Sequence, residues 1–266
     1  MQPMLVHINI FPVKSCSPLT VAHADVERRG LRGDRRWMVV DAAGKFVSAR
    51  KQPRMLLIRA EFAGDSLVLD APGMPRLHLR AAADSAGSRV TVWGDEVVGW
   101  PAGAGADAWI TGYLGFSACF VFMPEECVRP VDPAYARPGD EVSFADGFPL
   151  LLISQAALDQ LNARLAAPVP MLRFRPSVVV ANTTAHAEDG WRAIRIGEVA
   201  FDVVKPCVRC VLTTVDPATG TFDPTGEPLR TLVSYRRGAK GVTFGQNLIP
   251  RGRGTIRIGD AISIIE

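Results

Sequence analysis

The residues of this chain best suited to chemistry are two cysteines three positions apart, Cys207 and Cys210, in the run Lys205 to Asp216. A thiolate, rather than a thiol, binds metal or attacks an electrophile, and neighbouring Lys or Arg side chains favour it. Lys205 and Arg209 flank the pair. Cys210 leads into Val211 to Val215, a β-branched segment that reads as a strand. Two blander readings belong to the same residues. Free cysteine is commonly a small buried hydrophobe, and a zinc ribbon would need a second Cys or His pair, which the rest of the sequence does not offer.

A second set of residues has cationic or hydroxyl side chains where strands are expected to end. Lys14 and Ser15 follow the apolar run Leu5 to Phe11, and Arg35 closes a turn that feeds Trp37 to Val40. Ser154 stands as N-cap between the strand Phe148 to Ile153 and a helix over Gln155 to Leu165. Arg175 precedes Pro176 and the strand Val178 to Ala181. Guanidinium forks and helix N-termini suit phosphate. Singly, each of these residues is a surface charge or a cap; their repetition at strand exits points to an anion pocket. The four histidines are isolated and lack ligand spacing, and no GxSxG elbow or Walker loop is present. The Glu125-Glu126 pair reads as a solvated loop.

The elements that must position these residues are mostly short strands. Leu19 to Val26, Phe46 to Ser48, Leu56 to Phe62, Ser66 to Leu69, Leu77 to Leu79 and Arg89 to Val92 form a meander with turns at short intervals, as in a barrel or sandwich. Past Gly94 the pattern changes: Ala104 to Leu114 has helical spacing and ends at Gly115. Pro124 to Glu141 reads as an irregular, exposed loop. Further strands are expected at Ile194 to Ile196, Val199 to Val204, Val242 to Phe244 and Thr255 to Ile265.

At 266 residues the chain can bury one large core or two modest ones, and its 48% hydrophobic content is that of a globular protein. A net charge of +3 is too small for a nucleic-acid binder relying on a broad basic surface. Five scattered cysteines, without a secretory start, read as reduced thiols of a cytoplasmic protein. No apolar run is long enough to span a bilayer, so no membrane association is expected.

Several of these segments together resemble the MOSC family, named for the C-terminal domain of molybdenum cofactor sulfurase, in the branch that includes the mitochondrial amidoxime-reducing component and its bacterial relatives. They are PVKSC at Pro12 to Cys16, GDRRW at Gly33 to Trp37, SARKQPR at Ser48 to Arg54, FPLLLIS at Phe148 to Ser154, FRPS at Phe174 to Ser177, CVRCVLTTVDPATG at Cys207 to Gly220 and GTIRIGD at Gly254 to Asp260. The resemblance implies a β-rich α+β fold: a MOSC N-terminal β-barrel domain over residues 1–120, packed with a MOSC β-barrel domain carrying a few short helices over residues 121–266.

By position, it implies that Cys210 ligates molybdenum and is the catalytic cysteine. Lys14, Ser15 and Arg35 would hold the pterin of a molybdenum cofactor (molybdenum-molybdopterin) and its phosphate, with Arg175 and Arg209 as further contacts. Asp146, Gly147 and Ser154 would complete the pocket. Ser177 stands where the family commonly has Asn, a shorter hydrogen-bonding group. The implied activity is reduction of N-hydroxylated compounds such as amidoximes, hydroxylamines and N-hydroxylated base analogues. Because no further cysteine cluster follows, electrons are expected from a separate flavoprotein, ferredoxin or cytochrome. The alternative from another class is a sulfur carrier or cofactor-handling protein with a persulfide on Cys210.

Overall fold

The computed structural model describes residues 2–82 and 87–266. The fold is strand-rich, with three α-helices, α1 (Ala104–Leu114), α2 (Gln155–Asn162) and α3 (Leu229–Arg236), among the described residues. Its largest sheet runs in the spatial order Leu19–Val21, Met4–Ile10, Val178–Ala181, Leu150–Ser154, Gly241–Pro250, Val199–Val208, Ala193–Ile196, Ile262–Ile264. Chain order is not sheet order. The first strand pairs antiparallel with Val178–Ala181, so the segment before Lys14 is tied to the second half of the chain.

Val178–Ala181 runs parallel to Leu150–Ser154, a pairing that cannot be closed by a tight turn and needs a crossover. The segment carrying α2 supplies it. On one face of this sheet Leu5, Ile8, Leu152, Val178, Phe201 and Leu248 form a core, while Ile153, Phe174, Leu232 and Phe244 make another under α2 and α3. A separate core built on Trp37, Met55, Leu69, Ile110, Tyr113 and Phe120 belongs to the meander, whose four-stranded sheet runs Trp37–Asp41, Ala118–Phe122, Asp95–Pro101, Ser88–Val92.

Several elements differ from the sequence expectation. Leu19 to Val26 is two strands, Leu19–Val21 and His23–Glu27, which join different sheets. Leu56 and Leu57 close a 3-10 turn, Pro53–Leu57, before a strand at Arg59–Ala63. The strand Asp95–Pro101 and helix α3 carry no clear periodic signal. The loop from Pro124 to Glu141 is irregular but not uniformly exposed, since Arg129, Val131 and Glu141 are buried.

The expected strand Val211 to Val215 is instead a 3-10 helix over Val211–Thr214. Its threonines explain the change: the Thr213 hydroxyl donates to the Cys210 carbonyl at 2.9 Å and the Thr214 hydroxyl to the Val211 carbonyl at 2.8 Å. Local side-chain bonds of this kind compete with a strand ladder for the backbone acceptors. Just upstream, the Val199–Val208 strand shifts register twice against Gly241–Pro250, between Val203 and Lys205 and between Pro206 and Val208. Such irregularities bend a strand and re-aim its end. Here they lie immediately before Arg209 and Cys210.

Candidate functional site

One cleft collects residues from six separated stretches: Lys14 and Ser15, Arg35, Ser48 and Arg50, the segment Ala145 to Leu151, Arg173 to Arg175 with Ser177, and Cys207 to Cys210. Turns bring them together. The Lys14 N–H donates to the Trp37 carbonyl at 2.8 Å and the Arg35 N–H to the Phe11 carbonyl at 2.7 Å, locking the exit of the first strand against the turn at Arg35. Ser15, Arg35 and Arg175 adopt left-handed backbone, with φ of 71°, 47° and 55°. Strained residues that are not glycine concentrate at functional sites, where the surrounding structure holds them.

The cleft is cationic, and its charges are incompletely matched. Arg35 and Arg175 both lie against the Phe11 ring, 4.1 and 4.2 Å from its centroid. Arg35 pairs with the buried Asp34, whose carboxyl burial pushes above its ordinary range. Arg175 donates to the Cys16 carbonyl at 2.8 Å. Burial, together with the nearby Arg35 charge, lowers its guanidinium to about 9. Lys14 reaches Asp146 Oδ1 at 2.6 Å and the Phe144 carbonyl at 2.7 Å. Burial outweighs that attraction and lowers its ammonium to about 8. The Nε groups of Arg173 and Arg209 are buried with no hydrogen-bond partner. Orphaned buried donors of this kind are uncommon and need an explanation.

Cys210 is half-buried and free. Arg50 Nε donates to its sulfur at 3.1 Å, and Arg50 Nη2 to Asp146 Oδ2 at 3.0 Å. The Trp93 indole N–H completes the set on Asp146 at 3.3 Å. Desolvation opposes the Asp146 charge, but Lys14 and Arg50 hold the carboxyl well below the usual carboxylate range. With 63% of that side chain open to solvent, water screens part of the attraction.

Lys14, Ser15, Arg35, Asp146, Arg175, Ser177, Arg209 and Cys210 therefore line a single cleft. Ser154 does not join them. It is fully buried, its hydroxyl accepts from the Ala157 N–H at 3.3 Å to cap α2, and its own N–H donates to Glu188 Oε1 at 3.0 Å. The cap signal was structural. Ser177 is also fully buried, and its hydroxyl lies 3.3 Å from the Leu151 N–H and 3.5 Å from Arg35 Nη1; it braces the wall and Arg35.

The cations expected to act on the thiol pair are placed differently. Arg209 donates to Cys207 at 2.9 Å rather than to Cys210, and Lys205 lies over the rings of Tyr135 and Phe148. Arg50 is the residue on Cys210. Its only sequence signal was membership of the Ser48 to Arg54 motif. The remaining cysteines are not reactive candidates: burial pushes the Cys16 thiol up to about 12 and raises that of Cys119, and Cys127 is buried.

Among the described residues no group of three or more His, Cys, Asp or Glu side chains could hold a metal ion. The donor set suits a different arrangement, in which a metal already ligated by an anionic organic group takes one more thiolate from the protein. The buried, incompletely matched cations and the orphaned Arg173 and Arg209 Nε donors fit the anionic part of such a group. Cys210 fits the soft metal.

Comparison with known proteins assigns both halves of the chain to described domains. Residues 2–117 match the MOSC N-terminal beta barrel domain and residues 139–263 the MOSC domain. The chain is 36% identical over 274 aligned positions to mitochondrial amidoxime-reducing component 1 of Homo sapiens, covering 96% of this chain and 81% of the human protein. It is 34% identical to mitochondrial amidoxime reducing component 2 of Rattus norvegicus, covering 95% of this chain and 80% of that one. No helix among the described residues is long and apolar enough to cross a membrane. The chain belongs to the MOSC family, with the N-terminal β-barrel domain followed by the MOSC domain.

Proposed function

We propose that this protein is a molybdenum-cofactor-dependent reductase of N-hydroxylated compounds, amidoximes and hydroxylamines among them, supplied with electrons by a separate redox protein. The observation that carries the reading is the pairing of the Cys210 thiol, on the cleft and in reach of Arg50, with a wall of under-matched cations. Similarity to proteins named for amidoxime reduction supports the choice of substrate class.

Lys14, Ser15, Arg35, Arg175 and Arg209 would hold the pterin and its phosphate, Ser177 would steady Arg35, and Cys210 would ligate the metal. When bound, the cofactor supplies the oxygen acceptor and the two-electron chemistry. The N–O bond of the substrate breaks, two electrons arrive from the donor protein, and two protons complete the amine or amidine and one water. The chain's own part is to bind and orient. Arg50 clamps the Cys210 sulfur, and Asp146, kept ionised between Lys14 and Arg50, fixes those two cations in register. A sulfur carrier would present its thiol to a partner; the hydrogen bond from Arg50 to Cys210 and the cations around the cleft favour a bound anionic cofactor instead.

The test is elemental analysis for molybdenum with pterin fluorescence, on protein purified from a host that makes the cofactor. Near-stoichiometric molybdenum and pterin, with reduction of an amidoxime by a chemical electron donor, is the expected result. Folded protein without either component, carrying persulfide on Cys210, would overturn the proposal in favour of sulfur transfer.

A further inference from the structure

Among the described residues, six other than glycine adopt left-handed backbone, and three of them, Ser15, Arg35 and Arg175, line the cleft. A fourth, Trp93, with φ of 56°, does not line it but touches residues that do. Trp93 and Gly94 form the two-residue loop of a hairpin whose flanking residues Val92 and Asp95 are paired. A two-residue hairpin loop with positive φ at its first position alone favours glycine there. This sequence puts the glycine second, where φ is not positive, and leaves the bulkiest side chain in the strained place. Fold requirements give no reason for that choice. The indole is 43% exposed, so it is not filling a core.

The ring is nevertheless held firmly. The Arg50 guanidinium lies 4.4 Å from its centroid and Lys14 Nζ 5.9 Å from it. Phe46 packs against it at 4.9 Å, and its N–H is committed to Asp146. Through Arg50 it stands one residue away from the Cys210 sulfur. A rigid, partly exposed aromatic surface beside the reacting position is a stacking platform for a flat π-system. The surrounding cations disfavour a positively charged ring there.

We infer that Trp93 is a specificity-determining residue: its indole stacks on the aromatic body of neutral, planar N-hydroxylated substrates and aligns their N–O group with the site at Cys210. The inference rests on the reductase reading for its chemistry, but the stacking itself can be measured without turnover.

The experiment compares wild type with Trp93→Gly and Trp93→Phe, using benzamidoxime as a flat aromatic probe and acetamidoxime as an aliphatic one. Glycine suits the backbone at this position, so Trp93→Gly removes the ring without adding strain. A lost stacking contact corresponds to roughly a tenfold change in affinity. The KM ratio of benzamidoxime to acetamidoxime should therefore rise about tenfold in Trp93→Gly and largely recover in Trp93→Phe. Calorimetric binding of benzamidoxime to the cofactor-loaded protein should weaken in parallel.

An unchanged ratio in a protein that reduces both compounds overturns the platform and leaves the reductase reading intact. Failure of wild type to reduce either compound, with benzamidoxime binding still weakened by Trp93→Gly, keeps the platform and removes the reductase reading. Equal benzamidoxime binding in wild type and Trp93→Gly overturns the platform whatever the turnover.

Discussion

Arginines with buried guanidinium nitrogens occur in two regions of this protein, and their nitrogens are bonded to different extents. Under the loop from Pro124 to Glu141, Arg29 donates Nε to Glu141 Oε2 at 2.9 Å and its terminal nitrogens to the carbonyls of Pro124, Glu125 and Cys127. Arg129 likewise spends every nitrogen, on Asp95 and on the carbonyls of Ser143, Ala145 and Asp146. In the cleft, Arg173 donates to the Thr214 carbonyl and Arg209 to Cys207 and the Phe174 carbonyl, but both keep buried Nε groups without partners, and the Arg175 side chain donates to the Cys16 carbonyl through one nitrogen. Burial alone does not separate the two sets. The donors left over after the internal bonds are counted do, and in the proposed reading those donors serve a bound anion.

The comparison predicts that function and stability can be broken separately. Cys210→Ala should have the largest effect on function: loss of metal-dependent amidoxime reduction and of bound molybdenum, with a thermal midpoint within a few degrees of wild type, because the thiol is half-buried and contributes little to packing. Metal content, turnover and a melting curve test it together. Wild-type turnover in a loaded Cys210→Ala protein would refute the ligand assignment.

In the other region the losses should be reversed. Arg29→Met leaves Glu141 buried and short of its main partner, and breaking one side of a buried pair costs ~3–5 kcal/mol. The lower end applies, since Arg28 still reaches Glu141 at 3.1 Å. Urea denaturation should show that loss, while pterin content in the surviving folded protein stays at the wild-type level. A drop in pterin content matching that of a cleft variant would erase the distinction between the two regions.

Arg175→Gln is the complementary case. Removing a charge-assisted donor to a bound anion costs about 1.5–3 kcal/mol, or roughly 10- to 100-fold in affinity. The free protein should be destabilised less than by Arg29→Met, because relief of the Arg35–Arg175 repulsion offsets the lost bond to Cys16. Pterin retention through gel filtration, set against urea midpoints, measures both.

These contrasts also mark what the sequence could disclose. Residues whose placement follows from their neighbours in the chain were legible: Lys14 and Ser15 at a strand exit, Arg175 before Pro176, and the helix from Ala104 to Leu114 with its glycine stop. Ser154 was legible as a cap, and its position in the motif wrongly added a place in the pocket. Residues whose role is set by distant contacts were not. Arg50 meets Cys210 across 160 positions of sequence, and the cations nearest Cys210 in sequence, Lys205 and Arg209, turn elsewhere. The segment after Cys210 misled because β-branched composition signals a strand, whereas two threonine hydroxyls claim the backbone acceptors locally.

The smallest of the expected effects concerns pH and separates the two regions most finely. Lys14 is buried, and in the folded chain its pKa is lowered from 10.5 to about 8. Between those values the unfolded chain holds a proton that the folded one has shed, so stability rises with pH across that window. Below about 8 both states are protonated and the full cost of the buried ammonium is present. Its share of the slope is at most about 1.4 kcal/mol per pH unit. Lys14→Met should remove that share, so the stability difference between wild type and variant should change between pH 8 and pH 10 in cofactor-free protein, in favour of wild type as pH rises. A bound pterin phosphate would add a second negative charge beside that of Asp146 and raise the Lys14 pKa, so the same pair of proteins loaded with cofactor should show a flatter difference over this range. Urea titrations at the two pH values, with and without cofactor, measure both. A wild-type-minus-variant difference that ignores pH in the free protein would mean that Lys14 is fully matched by Asp146 and belongs with Arg29 and Arg129.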